Sequence, residues 1–186
     1  MRTNSTKKLL AALSMAGACA AAGAAGNLVL APASSSVGLP EAFSLKVMGS
    51  AFTDDLVGGG FNVSFDASKL SLTSVTINTA LWEFAPLTGT IDNVAGTLSG
   101  VAFNSFLNTP TGNFEAATLN FSSKAAGSSM VSLNASPTFP FANLAAEQVD
   151  VSFGSAQVTA VPEPATALSM LLGLGLLPLL SRRRIC

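Results

Sequence analysis

Alternation of apolar and polar residues in the middle of the chain limits the available folds more than any other feature of the sequence. In Phe43/Leu45/Val47 and Phe61/Val63/Phe65, a polar residue separates each apolar residue from the next. Successive side chains of a β-strand point to opposite faces, so this period of two predicts strands with one face in a core. No stretch of residues 27–160 keeps a helical period over about a dozen residues, although residues 142–148 would suit one helical turn. The middle is therefore predicted to be all-β.

The remaining strands follow from the same pattern. Val75 and Ile77 are one residue out of phase with Leu70 and Leu72, which predicts a β-bulge near Thr73-Ser74. The other alternating runs are Ala117/Leu119/Phe121, Val131/Leu133, Val149/Val151/Phe153 and Ala156/Val158. Turn-forming residues separate the runs, and short strands at this spacing are typical of a sandwich or barrel. We predict one β-sandwich of about nine strands over residues 27–160, large enough to bury a core without a disulfide.

The composition excludes several kinds of chemistry. Histidine is absent, which removes the Ser-His-Asp and Cys-His mechanisms and histidine-ligated zinc. Cys19 and Cys186 both lie outside the middle of the chain, so they form neither a core disulfide nor a metal-binding cluster. The middle has three lysines (Lys46, Lys69, Lys124) against nine acidic residues, whereas a nucleic-acid partner requires a basic face. We expect no cofactor and no nucleic-acid partner.

The N-terminal segment is typical of an export signal. Arg2, Lys7 and Lys8 precede an uncharged apolar run over residues 9–25, which ends in small residues. Both Ala20-Ala21-Ala22 and Ala22-Gly23-Ala24 are suitable for cleavage by signal peptidase. Residues 1–26 are therefore predicted to be a helical signal peptide. The alternative is lipidation at Cys19, but bacterial lipoproteins usually have leucine where this chain has Ala16.

The C-terminal segment combines a stiff motif, a short apolar span and three arginines. Val161-Pro162-Glu163-Pro164 is expected to be extended, because proline fixes φ and restricts the residue before it. Residues 165–180 are apolar and would span about 24 Å as a helix, slightly less than a bilayer core. Arg182, Arg183 and Arg184 follow the span and are expected to remain cytoplasmic. Residues 161–186 thus predict a membrane-anchored tail, with the middle domain outside the inner membrane.

This arrangement of Pro162-Glu163-Pro164, short span and terminal arginines resembles the PEP-CTERM sorting signal of Gram-negative bacteria. The resemblance implies recognition by exosortase, a membrane protease-transpeptidase, followed by release or attachment at the cell surface or in the extracellular matrix. The alternative is an ordinary C-terminal membrane anchor.

The middle domain resembles the cohesin family. Residues 56–70 read LVGGGFNVSFDASKL, similar to the cohesin stretch in which a glycine-led strand ends in Tyr-Asp-Pro-Ser-x-Leu. Here Phe65 replaces the tyrosine and Ala67 the proline, while Asp66 can still cap the turn. Residues 112–121 and 127–129 are similar to a later strand pair, and residues 149–158 would form the closing strand. The resemblance spans residues 37–159 and implies a jelly-roll sandwich that binds a partner.

Two sets of residues are candidates for ligand binding. Asp54 and Asp55 precede the glycine run and Asp66 follows the next strand, so their carboxylates could hold Ca²⁺ across neighbouring loops. The alternative is that they form turn hydrogen bonds. Trp82 could stack on a sugar ring if exposed, although a lone tryptophan more commonly packs in a core or at its rim.

The sequence favours an exported, non-catalytic binding module over an enzyme. Its acidic residues could include a glycosidase pair, but none forms a recognisable motif. The expected partner is an exopolysaccharide or another surface protein. The alternative is a structural biofilm or matrix protein with no specific ligand.

Overall fold

A computed structural model describes residues 25–162, which form twelve β-strands and no α-helix. The strands are β1 (Gly26–Ala31), β2 (Ser34–Val37), β3 (Ala42–Phe52), β4 (Leu56–Ser64), β5 (Leu70–Ile77), β6 (Phe84–Asp92), β7 (Thr97–Asn104), β8 (Gly112–Ser123), β9 (Gly127–Ala135), β10 (Ala142–Asn143), β11 (Val151–Phe153) and β12 (Ser155–Ala160). The described part of the chain contains no helix long and apolar enough to cross a membrane. Residues 1–24 of the predicted signal peptide, the predicted span 165–180 and Arg182–Arg184 lie outside the described residues.

The strands form two sheets. The five-stranded sheet has the order β11-β1-β3-β8-β5, and the seven-stranded sheet has the order β2-β12-β9-β4-β7-β6, with β10 paired to β4. Neighbouring strands are antiparallel except for β1 with β11 and β2 with β12. The apolar faces of both sheets contribute to one core. The all-β sandwich expected from the alternation is confirmed.

Two runs of chain cross from one sheet to the other, which explains why twelve strands are present where about nine were expected. The first run is divided at Pro32 and Ala33 into β1 and β2. The second is divided at Gly154, whose N–H donates to the Leu28 carbonyl while its carbonyl accepts from the Leu133 N–H. Gly154 thereby bonds to both sheets. The prediction of one closing strand over residues 149–158 is wrong, because the chain changes sheets at Gly154.

The core confirms the predicted strand phase. Phe61, Val63 and Phe65 are buried, whereas Asn62 and Ser64 are partly exposed on the opposite face. The predicted bulge is also present, since the pairing of β5 with β8 shifts register between Leu72 and Ser74. Part of the core is a chain of aromatic contacts among Phe52, Trp82, Phe103, Phe114 and Phe141.

The expected helical turn at residues 142–148 is wrong. Ala142 and Asn143 form β10, and a tight turn follows. The Asn143 Oδ1 accepts from the N–H groups of Ala145 and Glu147, which replaces helical hydrogen bonding by a side-chain turn. Ala146 has a φ of 62°, outside the right-handed helical region.

The sandwich has two ends, separated by the length of β4, about 30 Å for its nine residues. The entry end contains Ala25 and the loops at 53–55, 78–83, 105–111 and 144–150. The exit end contains the loops at 65–69, 93–96 and 124–126, together with Ala160, which pairs with Gly127. The chain therefore enters the described domain at one end and leaves it at the other.

Candidate functional site

The outer face of the five-stranded sheet is polar, and its side chains bond to one another. The Ser44 hydroxyl donates to Asn120 Oδ1 at 2.7 Å, and Asn120 Nδ2 donates to Ser74 Oγ at 3.0 Å. Lys46 Nζ lies 2.8 Å from Glu115 Oε2. Because these groups already have partners, this face offers little unsatisfied hydrogen-bonding capacity to a ligand.

The seven-stranded sheet carries an exposed apolar patch at its β6 edge. Its members are Phe84 and Leu87 of β6 and Phe106 and Leu107 of the loop after β7, with exposed fractions of 54%, 49%, 61% and 84%. The rings of Phe84 and Phe106 meet edge to face with centroids 5.0 Å apart. Contiguous exposed apolar side chains are typical of a protein interaction surface. We call these four residues the apolar patch.

The strand register explains why part of the patch faces outward. Phe84 lies opposite Asn104, and Leu87 lies opposite Ala102. Phe103, between those two β7 residues, is fully buried in the core. Directly opposed residues share a face of the sheet, so Phe84 and Leu87 project away from the core.

Glu83 lies directly before β6 and bonds to the loop after β7, so it joins the two segments that carry the patch. Its Oε1 accepts from the N–H of Phe106 at 2.8 Å and from the N–H of Leu107 at 3.0 Å. Its Oε2 lies 3.3 Å from the Asn108 Nδ2 donor. The Phe106 N–H makes the largest contribution to lowering the pKa of the Glu83 carboxyl to about 2, so the group is ionised at neutral pH.

Trp82 is fully buried, which agrees with the expectation that a lone tryptophan packs in the core and leaves no exposed indole to stack on a sugar ring. Its ring lies 4.6 Å from that of Phe103 and 5.2 Å from that of Phe114, and its Nε1 donates to the Glu115 carbonyl at 3.3 Å. The core takes the indole because the apolar ring packs against other aromatic rings while its N–H is satisfied.

The three aspartates proposed for Ca²⁺ do not share a site. Asp54 and Asp55 precede β4 and Asp66 follows it, so they lie at opposite ends of the sandwich. Asp66 is a turn residue: its carboxylate accepts from the N–H of Ser68 and lies 3.2 Å from Lys69 Nζ. Across residues 25–162, no group of three or more acidic or cysteine side chains is arranged to hold a metal ion.

The predicted sorting motif begins where the described domain ends. The Val161 N–H donates to the Val37 carbonyl at 2.9 Å, directly after β12, and Pro162 is exposed. Glu163 and Pro164 lie outside the described residues.

Charge is unevenly distributed between the two ends. The entry end carries Asp54, Asp55, Glu83, Glu147 and Asp150, and none of its described residues is a lysine or arginine. At the exit end, Lys69 and Lys124 accompany Glu41, Asp66 and Asp92. The apolar patch extends to the strongly acidic end.

Comparison with known proteins identifies the fold. No protein-family model matches the sequence, and no curated protein matches it either. A non-cellulosomal cohesin from Archaeoglobus fulgidus is similar in structure, with a TM-score of 0.59 and 10% identity over 77% of this chain and 96% of that one. A cohesin module from a Clostridium perfringens family 33 glycoside hydrolase gives 0.58 and 15%, over 76% of this chain and 100% of that one.

A third similar structure is a cohesin from Acetivibrio cellulolyticus, solved in complex with a dockerin. Its TM-score is 0.55 and its identity 13%, over 73% of this chain and 97% of that one. These comparisons establish that residues 25–162 have a cohesin-like β-sandwich fold.

Sequence reasoning did not identify the apolar patch. Of the segment around β6, only Trp82 was a candidate ligand contact, and the neighbouring Phe84 was not. Phe106 and Leu107 are adjacent apolar residues in a segment that ends one alternating run and precedes Pro110. Two consecutive apolar residues outside a strand pattern place at least one side chain away from the core, and this signal could have indicated exposure.

Proposed function

We propose that this chain is an exported, non-catalytic module that binds a protein partner through the apolar patch. The observation that carries the proposal is the exposure of Phe84, Leu87, Phe106 and Leu107 at one edge of the sandwich, with the rings of Phe84 and Phe106 in contact. A partner that covers these side chains would remove their apolar area from water, which is the main driving force of protein association.

The conformation of the edge strand β6 favours a partner that packs against the side chains of the patch over one that adds a β-strand to the sheet. Ala85 and Gly89 of β6 have positive φ values of 44° and 76°, and Pro86 between them lacks an N–H. These features interrupt the regular edge that an incoming strand would need. The dockerin complex of the Acetivibrio cohesin supports a protein as the class of partner.

Charge complementarity suggests the chemistry of the partner surface. Asp54, Asp55, Glu147 and Asp150 lie at the same end as Phe106 and Leu107. A partner with lysine or arginine side chains around an apolar centre would match this arrangement, and its association rate would fall as salt is added.

The sorting tail would determine where the module acts. We propose that exosortase recognises Val161–Pro164 at the outer face of the inner membrane of a Gram-negative bacterium. The product would then reach the cell surface or the matrix, among exopolysaccharide. Because Ala160 lies at the exit end, the acidic entry end would face away from the membrane while the tail is anchored.

The binding proposal is tested by capture with the mature protein recovered from the cell exterior. Phe106→Glu/Leu107→Glu replaces the two most exposed members of the patch with charges, and Met130→Glu is the matched control because Met130 is 56% exposed on β9. We expect the wild type and Met130→Glu to capture the same protein, and the double variant to lose it. Equal capture by all three proteins would refute the role of the patch, and retention on matrix polysaccharide alone would replace the protein partner.

The sorting proposal is tested by replacing Pro162, Glu163 and Pro164 with alanine, which leaves the apolar span unchanged. The variant should be exported and accumulate in the membrane at full length, while the wild type appears outside without residues near 165–186. Identical fractionation of the two proteins, both retaining Arg182–Arg184, would make the tail an ordinary anchor.

A structural matrix protein with no specific ligand is the second candidate. The polar face around Ser44, Asn120 and Ser74 favours it, because side chains that hydrogen-bond to one another can remain exposed to water without a partner. Sedimentation of the mature protein would support this candidate if it showed concentration-dependent self-association while capture identified no partner.

A further inference from the structure

One carboxylate connects the start of β6 with the loop after β7, the two segments that display the apolar patch. Glu83 follows the fully buried Trp82 and precedes the exposed Phe84. Its side chain therefore starts from a position fixed by the core. From there it accepts two hydrogen bonds from the consecutive backbone N–H groups of Phe106 and Leu107, at 2.8 and 3.0 Å.

The residues on either side of Phe106 and Leu107 are also held. Ser105 is fully buried, and its N–H donates to the Val57 carbonyl at 2.9 Å. Asn108 donates through its N–H to Ser105 Oγ at 3.0 Å and through Nδ2 to the Leu81 carbonyl at 3.2 Å. The two exposed residues are thus the part of the loop for which Glu83 supplies the backbone contacts.

We propose that Glu83 is a positioning residue for the apolar patch, which fixes the backbone of Phe106 and Leu107 before a partner arrives. Its consequence for binding rests on the proposed function, whereas the local fixing does not. Phe106 and Leu107 are largely surrounded by water, so packing alone does little to restrict them. Holding their backbone in one conformation reduces the entropy lost when a partner covers them.

A charged group suits this task better than a neutral one. Consecutive backbone N–H groups form a small concave donor site for an anion, and hydrogen bonds to a carboxylate are stronger than those between neutral groups. The lowered pKa of Glu83 agrees with this geometry, because it keeps the carboxylate ionised throughout the physiological range.

Amide hydrogen exchange, followed by NMR on the mature protein, tests the local part of the proposal. Glu83→Ala removes the acceptor, while Glu83→Gln keeps a side-chain oxygen that can accept from the same N–H groups. Glu147→Ala is the matched control, since the Glu147 carboxylate also lies at the entry end and accepts from Asn143 Nδ2 at 3.3 Å.

We expect Glu83→Ala to accelerate exchange at Phe106 and Leu107 by roughly tenfold or more, and to shift their amide proton resonances upfield. Glu83→Gln should restore part of both effects, and Glu147→Ala should change neither. Unchanged exchange in Glu83→Ala would overturn the proposal. So would acceleration spread equally over β7 and β8, because that would indicate general destabilisation.

The captured partner provides the second measurement. Glu83→Ala should weaken binding of the partner several-fold, and Glu83→Gln should restore part of it. The melting temperatures of the two variants should stay close to each other. Accelerated exchange with unchanged affinity would overturn the positioning role. If the wild type captures no protein, the proposed function fails, and the exchange data still decide whether Glu83 fixes the two residues.

Discussion

Truncating Phe65 tests which side chains of the β4 segment face the core and how much the burial of Phe65 contributes to stability. Phe65 directly follows β4, is 7% exposed and meets the ring of Phe121 edge to face at 5.4 Å. Its transfer from water accounts for about 1.5–3 kcal/mol of stability. The cavity left by the ring and the lost aromatic contact raise the cost of Phe65→Ala to about 3–5 kcal/mol. That is a large part of the roughly 5–15 kcal/mol by which a domain is stable.

Thermal unfolding of the mature protein, followed by circular dichroism, measures this cost. A domain of this size loses about 3–5 °C of melting temperature per kcal/mol, so Phe65→Ala should lower the midpoint by about 10–20 °C. Two controls bracket the result. Ser64→Ala removes one surface hydrogen bond, from Asn134 Nδ2 at 3.2 Å, and should cost less than about 1 kcal/mol. Phe84→Ala truncates the same residue type where 54% of it is exposed, and should cost about 1 kcal/mol.

The order of the three variants decides the outcome. Equal shifts for Phe65→Ala and Ser64→Ala would mean that the phase of this segment is misassigned. Equal shifts for Phe65→Ala and Phe84→Ala would mean that Phe84 is buried, and the apolar patch would then lose one of its members.

Three further predictions follow from single contacts. The pKa of Glu83 is lowered to about 2, so its carboxylate contributes stability above pH 4.5 that is lost as pH falls towards 2; Glu83→Gln should flatten this part of an acid unfolding curve, and an unchanged curve would contradict the shift. Gly59→Ala would place a methyl group 2.5 Å from the Phe141 ring and should cost about 1–3 kcal/mol in urea unfolding, whereas a neutral effect would mean that the ring moves freely. Lys46→Ala breaks the exposed 2.8 Å ion pair with Glu115 and should lower the free energy of unfolding by less than about 1 kcal/mol. Added salt should reduce this difference. A larger loss that does not depend on salt would mean that the pair is not mainly electrostatic.

The sequence predicted those parts of the fold that depend on neighbouring residues. Alternation places Phe61, Val63 and Phe65 on one side because strand geometry alone sets the direction of successive side chains. The bulge beside Leu72 was predictable for the same reason, since an extra residue shifts the pattern by one. The change of sheet at Gly154 was not, because the shift of apolar positions from Val151 and Phe153 to Ala156 and Val158 is the same signal that a bulge gives. It depends on hydrogen bonds to Leu28 and Leu133, which are distant in sequence.

The candidate site was less predictable for a related reason. Trp82, Glu83 and Phe84 are consecutive, yet the first is fully buried and the third is 54% exposed. Phe84 faces outward through the register of β6 with β7, and Glu83 meets the loop at 105–108, which supplies its N–H donors. A turn pattern cannot specify which of several loops at one end of a sandwich will meet. The Asp54, Asp55 and Asp66 hypothesis is wrong because β4 runs the length of the sandwich and places residues close in sequence at its opposite ends.

The placement of the first and last residues of the described domain connects the fold with the proposed display of the module. Ala25 lies at the entry end, where its N–H donates to the Asp150 carbonyl at 2.8 Å, and Val161 leaves at the exit end through its bond to Val37. The segments that are proposed to direct export and sorting are therefore attached at opposite ends of the domain. A tail anchored at the exit end would hold Phe106 and Leu107 about 30 Å further from the membrane, the length of β4. On the proposed topology, this separation would keep the apolar patch away from the bilayer, into which exposed apolar side chains would otherwise partition instead of binding a partner.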